Sequence, residues 1–425
     1  MVRDDNPQAI ADIGSSYRAV RARSEELCGP LEVEDYCVQP IPEVSPIKWH
    51  LAHTTWFFEA FILQEYCPNY RVFNSKFNYL FNSYYESIGN YFPRPERGNL
   101  TRPLVKEIYE YRRHVDQGMS ALLKGNTRPD VLDRVTLGLN HEQQHQELMV
   151  TDFKYILGKN PLRPSYNGAT PKSNDVSVDR LAYSSFDGGM ASIGIEVDGH
   201  SFCFDNETPK HRVYLAPYSL SNRLITNGEF EDFIRDGGYD DPRLWLSDGW
   251  LEKKQRGWSL PEYWSGEQGD RIEYTLSGER ELDLAYPVTH ISFYEADAFA
   301  RWAGARLATE FEWEHATESQ CAPIFSSGTP NTELHPQPAS EGDQLKQLIG
   351  DCWEWTSSSY SPYPGYVPLK GALGEYNGKF MANQFVLRGG SVATPPGHIR
   401  TTYRNFFYAH DRWQFTGIRL ARDVD

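Results

Sequence analysis

Four long segments of helical hydrophobic period occupy residues 1 to about 157, and nothing like them recurs afterwards. They run from about Ala9 to Leu27, Ile47 to Tyr66, Pro103 to Lys124 and Pro129 to Leu157. Pro46, Pro103 and Pro129 each stand near a helix start, where a missing N–H costs little. Four apolar stripes of this kind predict an antiparallel four-helix bundle. The segment between the second and third helices, Asn69 to Arg102, is rich in Asn, Tyr, Arg and Pro; loops of that length in compact domains are often functional. A Pro/Gly/Ser/Asn stretch from Gly158 to about Ser177 then reads as a linker. Beyond it, short apolar runs alternate with Gly, Pro, Asn and Asp, and helical patterns recur near Asn227–Asp236 and Phe293–Gly304. That texture predicts an irregular α+β domain. The expected division is 1–160 for the bundle, 161–180 for the linker and 181–425 for the second domain.

Charge narrows the partners. Lys+Arg 42 against Asp+Glu 58 leaves −16, and no Lys/Arg run exceeds two residues, so a phosphate backbone would be repelled and no nucleic-acid partner is expected. No stretch approaches the about 18 consecutive apolar residues of a membrane span. Met1 to Ile10 is polar and acidic and has no signal-peptide core. The six cysteines are scattered without a CxxC pair and read as reduced. A cytoplasmic protein without a membrane partner is expected. Aromatic residues reach 14%, enough to ask whether a pocket uses their faces as well as the cores.

The string His141-Glu-Gln-Gln-His145 places two imidazoles at i and i+4 on one face of the fourth helix, close enough to share a metal ion. Leu137, Leu148 and Asp152 continue that stripe, so the pair should face the bundle interior. The second helix carries His50 and His53, spaced by three and flanked by Trp49, Trp56 and Phe57. Ligands projecting inward from facing helices are how bundles build metal sites. Three histidines with open positions suit Fe(II) or Zn. The string is also an HExxH match, the zinc-peptidase motif. A zincin would take its third ligand downstream, and no further His, nor any Glu past Glu147, follows closely, so the third ligand should come from upstream, from His50 or His53.

The ordered set WHLAHTTWFFE, FNSYYE, RPERG and HEQQHQELM resembles the DinB-like N-terminal domain of EgtB-type sulfoxide synthases. FDGGMASIG, ETPKHRVYLAPYSLSNRLITNGEFEDFI, YPVTHISFYEADAFARWAGARLATEFEWEHA, GDCWEWTSSSY and VLRGGSVAT…GIRLARD resemble the formylglycine-generating-enzyme-like (C-type-lectin-like) α+β domain that follows it there. The resemblance spans about residues 10 to 423. It implies a mononuclear non-heme Fe(II) enzyme. Such an enzyme uses O2 to join a cysteine or γ-glutamylcysteine thiol to the imidazole of hercynine, leaving a sulfoxide, in ergothioneine biosynthesis.

Carried onto this sequence, the resemblance implies His53, His141 and His145 as ligands, with His50 a neighbour. Gln144 resembles the residue that bonds the substrate imidazole, and Asn405 the one that holds hercynine's carboxylate or ammonium end. Phe406, Phe407 and Trp413 are candidates for a cage around its trimethylammonium, which aromatic faces bind well. Tyr84 or Tyr85 would donate a proton near the iron. Arg94, Arg97 or Arg412 would pair with the thiol substrate's carboxylate.

Two departures carry information. Formylglycine-generating enzymes use paired cysteines late in this domain, and no Cys follows Cys352, so the second half is expected to be a substrate wall. Mycobacterial-type members carry an Asp where this chain has Phe407, which tilts the thiol donor toward free cysteine. Related ovothiol-type histidine–cysteine sulfoxide synthases carry an extra C-terminal methyltransferase domain, and none is expected in these 425 residues. A DinB-type divalent-metal thiol transferase, a zinc peptidase and a non-catalytic binding module are the competing readings.

Overall fold

The computed structural model describes residues 7–124, 128–168, 178–197, 201–320, 333–342 and 344–424, with side chains from residue 13 onward. The chain divides into two compact units. The first is Met1–Pro161 together with Lys370–Tyr376; the second is Leu162–Leu369 with Asn377–Asp425. Part of the stretch read as a linker, 169–177, lies outside the described residues, as does most of Met1 to Ile10.

The first unit is built on α1 (Pro7–Cys28), α2 (Ile47–Phe58), α3 (Val105–Leu123) and α4 (Pro129–Lys159). Pro129 opens α4, with Asp130 in its first turn and Lys159 in its last, both favourable to the helix dipole. α3 starts where the Glu107 carboxylate accepts the Leu104 N–H at 2.7 Å. α2 packs against both α3 and α4, and α1 packs against α4. Every residue of α2 is buried, so it is the central helix and shows no polar face.

The helix expected to run from Ile47 to Tyr66 is interrupted by one π-helical turn, Glu59–Leu63. The buried Glu59 carboxylate explains why that turn holds. It accepts the Tyr70 and Tyr111 hydroxyls at 2.7 Å each and the Phe73 N–H at 3.0 Å. Such turns recur near functional sites.

In the second unit, one antiparallel sheet has the order Tyr183–Phe186, Tyr218–Ser221, Leu420–Asp423, Arg306–Leu307. Another has the order Asn405–Tyr408, Gln384–Arg388, Trp353–Ser359, Thr416–Gly417, the last pair parallel. Helices α5 (Asn227–Arg235), α6 (Ser247–Arg256), α7 (Phe293–Trp302) and α8 (Glu310–Ser319) accompany them. Reciprocal Ser/Thr–Glu caps start three of these: Thr226 with Glu229, Ser292 with Glu295 and Thr309 with Glu312. The core gathers Ile193, Tyr218, Leu220, Trp313, Leu348 and Ala421, and Trp353 and Trp355 are buried as well. Much of the aromatic excess is therefore packing. This is the expected α plus α+β architecture. Among the described residues, Cys28, Cys37 and Cys67 form no disulfide. Among the described residues, no helix is long and apolar enough to cross a membrane.

Candidate metal centre

His53 on α2 and His141 and His145 on α4 are buried, and their ligand atoms lie within 4.8 Å of one another. His53 Nε2 and His141 Nε2 face each other at 3.2 Å. The i, i+4 spacing puts both α4 imidazoles on the face turned to α2. Burial, followed by the neighbouring imidazole of His141, holds His53 and His145 well below the usual histidine range. Burial pushes His141 down to about 3. Three neutral imidazoles converging on one point are a fitting donor set for a divalent transition metal. His53 Nδ1 donates to the Phe81 carbonyl at 2.6 Å, which turns its Nε2 inward. The rings are packed in place: Trp49 stacks on His53 at 4.6 Å, Trp56 lies on the same ring at 5.6 Å, and Phe57 lies against His141 at 4.7 Å.

Both ring nitrogens of His50 are engaged elsewhere. Nδ1 meets His145 Nδ1 at 2.8 Å, and Nε2 meets the Asp152 carboxylate at 2.9 Å. Of the two histidines left open by the spacing, His53 joins the cluster.

Glu142, the acid of the HExxH match, is turned away from the three imidazoles. Its carboxylate meets Arg21 at 2.9 Å, Arg112 at 3.2 Å and the Ser24 hydroxyl at 2.7 Å, all buried. Burial alone would raise its pKa, but the Arg21 and Arg112 guanidiniums outweigh it and hold the carboxyl below its ordinary value. A carboxylate so occupied is not placed to take a proton from a metal-bound water, which the peptidase reading needs.

Tyr376 belongs to the first unit and was not singled out from the sequence. Its hydroxyl donates to Gln144 Oε1, and its ring lies edge-on to His141 at 5.6 Å. Its neighbour Glu375 accepts the Glu86 and Ser87 N–H groups at 3.0 Å each and the Ser87 hydroxyl at 2.5 Å. These bonds tie the Lys370–Tyr376 segment to the loop of Tyr84 and Tyr85. Tyr85 is fully buried, stacked on Tyr84 at 4.7 Å and against Trp56 at 5.7 Å. Burial, with Tyr84 and Tyr376 adding to it, keeps its hydroxyl protonated well beyond the usual tyrosine range. No local signal marks Tyr376, because it lies more than two hundred residues from the histidine motifs.

Arg97 is 2% exposed, with its guanidinium 3.3 Å above the Trp49 ring. It donates to the hydroxyls of Ser45 (3.0 Å) and Ser83 (3.2 Å). Among the described residues no carboxylate lies within ion-pair distance of it. Arg94 is exposed and donates to the Glu43 carbonyl.

The remaining candidates lie in the second unit. Asn405, Phe406 and Phe407 form one strand and are half-buried. Alternation puts Phe406 on the opposite face from Asn405 and Phe407. Phe406 stacks on Tyr360 at 4.1 Å, whereas Phe407 meets the Trp413 ring edge-on at 5.8 Å. Arg412 pairs with the buried Glu295 at 3.0 Å and lies over Trp258.

Comparison with known proteins agrees with this anatomy. A sulfatase-modifying factor enzyme 1-like domain model matches residues 173–342 and 338–424, and a DinB superfamily model matches residues 16–149. The hercynine oxygenase of Mycolicibacterium smegmatis is 30% identical over 411 residues, covering 90% of this chain and 92% of that protein. The hercynine oxygenase of Mycobacterium tuberculosis is 30% identical over 413 residues, covering 92% and 94%. Ergothioneine biosynthesis protein 1 of Schizosaccharomyces pombe is 28% identical over 233 residues, 52% of this chain and 28% of that protein. With both domains matched in order and near-complete coverage of these relatives, the chain belongs to the EgtB-type hercynine oxygenase family.

Proposed function

We propose that this protein is a non-heme Fe(II) sulfoxide synthase acting on hercynine and a cysteine-type thiol. The observation that carries this reading is the buried, neutral trio His53, His141 and His145 in a chain whose full-length relatives are hercynine oxygenases. The atoms balance with O2 as the oxidant. The imidazole C–H and the thiol S–H are lost, the C–S bond forms, one oxygen stays on sulfur, and the other leaves as water. Fe(II) held by the trio would supply O2 activation and open positions for both substrates.

The chain's own groups supply the rest. Gln144, bonded by the Tyr376 hydroxyl, can orient the substrate imidazole. Tyr376 holds a phenolic proton beside His141, and Tyr85 a second one behind Trp56, with Tyr84 stacked on it. Arg97, a buried cation with no carboxylate at ion-pair distance among the described residues, fits the thiol substrate's carboxylate, with Arg94 as the outer cation. Arg412 already has Glu295 and is the weaker candidate. In the second unit, Asn405, Phe407 and Trp413 are assigned to hercynine's charged end, and Phe406, on the other strand face, to their support. Phe407 presents no charge, which favours cysteine over γ-glutamylcysteine.

The test is a reaction with Fe(II), O2, hercynine and each thiol in turn, followed by product mass and oxygen uptake. A hercynylcysteine sulfoxide with matched uptake is expected. Product without oxygen uptake would indicate the metal-dependent thiol transferase instead. Turnover with γ-glutamylcysteine alone would overturn the assignment of cysteine.

A further inference from the structure

We infer that Asp152 and His50 form a proton-ordering relay that fixes the tautomer of His145 and so presents its Nε2 lone pair to the metal. The inference rests on the reading that His145 is a ligand, and it assigns new positioning roles to two residues outside the trio.

The argument is a count of donors and acceptors. The Asp152 carboxylate is an acceptor-only group: its Oδ2 takes the Ser45 N–H at 2.8 Å and meets His50 Nε2 at 2.9 Å. His50 Nε2 must therefore carry a proton. An imidazole whose one proton sits on Nε2 leaves its Nδ1 as an acceptor. The group that meets this acceptor at 2.8 Å is His145 Nδ1, which must then be the donor. A neutral His145 protonated on Nδ1 has its lone pair on Nε2. All four groups are buried, so water does not compete for these bonds.

The relay also explains a spacing. His141, His145 and Asp152 fall at i, i+4 and i+11 on one face of α4, while His50 and His53 sit one turn apart on α2. Each helix thus supplies both ligand and support. His53 reaches the same end by a shorter route, through the Phe81 carbonyl. A carboxylate acting through a bridging imidazole also places negative charge behind His145, which strengthens it as a donor.

Two readouts that need no turnover test this on the full chain. The first is nitrogen-15 histidine NMR of the metal-free protein, where His145 should be protonated on Nδ1; protonation on Nε2 would overturn the relay. The second is Fe(II) affinity, measured anaerobically by competition with a chelator. His50→Phe keeps the ring volume and removes both bonds, and should weaken Fe(II) binding about 10–100-fold. His50→Gln can still donate to Asp152 and accept from His145, and should bind Fe(II) within about threefold of wild type. Equal losses in the two variants, or none in His50→Phe, would overturn the inference. If His50→Phe fails to fold, the NMR result and the His50→Gln affinity still decide. Absence of oxygen uptake with substrates would sink the oxygenase reading and leave the relay standing.

Discussion

Tyr376 places a phenol on Gln144 and against His141, whereas Tyr84 stacks on Tyr85, whose ring lies against Trp56. A proton donor must be within hydrogen-bond reach of the group it serves, and on that criterion Tyr376 ranks ahead of the loop tyrosines. Tyr376→Phe is therefore expected to cut C–S bond formation about 100-fold and to divert thiol toward sulfinic acid. Tyr84→Phe should leave the product ratio near wild type, and quantifying sulfoxide against sulfinic acid for both separates them. Arg97 invites a different assay. If its guanidinium binds the thiol's carboxylate, Arg97→Gln should raise the thiol KM about 10–100-fold, the worth of one charge-assisted hydrogen bond, with a smaller change in kcat. A uniform fall in kcat with unchanged KM would point to a packing role on Trp49.

At the scale of elements, α2 and α4 approach so closely that a side chain at one glycine would crowd two rings. A Cβ on Gly138 would sit 2.7 Å from Phe58 and 3.1 Å from Phe57. Phe57 in turn packs on His141, one turn along α4. Gly138→Ala should therefore cost about 1–3 kcal/mol by overpacking, despite alanine's better helix propensity, and should weaken metal binding. Urea unfolding and chelator competition read the two effects. Glu142 makes the converse point. Glu142→Gln leaves Arg21 and Arg112 buried with one fewer counter-charge and should destabilise the first unit by about 3–5 kcal/mol while leaving the ligand set intact. Iron content close to wild type in the folded fraction would show that this residue is structural.

The helices themselves were unevenly legible. The bundle's four segments stood out because each has a long run of period 3.6. In α8 the Thr309–Glu312 cap was present in the sequence, yet the helix was not expected. Its buried face mixes Trp313 with Glu310 and Glu314, which pair with Arg388, so no apolar stripe marks it. The π turn that follows α2 was invisible for a related reason: Glu59 is held there by Tyr70, Phe73 and Tyr111, all from later in the chain.

For the molecule as a whole, the boundary between units does not follow sequence order. Lys370–Tyr376 lies within the half of the chain that reads as the second domain, but it packs as part of the first unit, anchored by Glu375 on Glu86 and Ser87. Glu375→Ala removes the acceptor for three hydrogen bonds. Faster amide exchange across residues 370–376 is expected, together with a loss of C–S product that tracks the Tyr376→Phe variant. Unchanged exchange would mean that Tyr376 is held by other contacts.

By itself the sequence determined the change from bundle to α+β texture, the presence of two histidine pairs on interior helix faces, and the family. Those properties are periodic or carried by contiguous residues, so they survive without coordinates. Spacing left His50 and His53 open and the family resemblance pointed to His53; the tertiary structure groups His53 with His141 and His145, because that grouping depends on how α2 is rotated against α4 and which ring nitrogen each neighbour occupies. It alone brought Asp152 behind His145, turned Glu142 toward Arg21 and Arg112, and set Tyr376 beside Gln144. Each of these is a pairing across tens to hundreds of residues, made by buried hydrogen bonds whose partners no local pattern encodes.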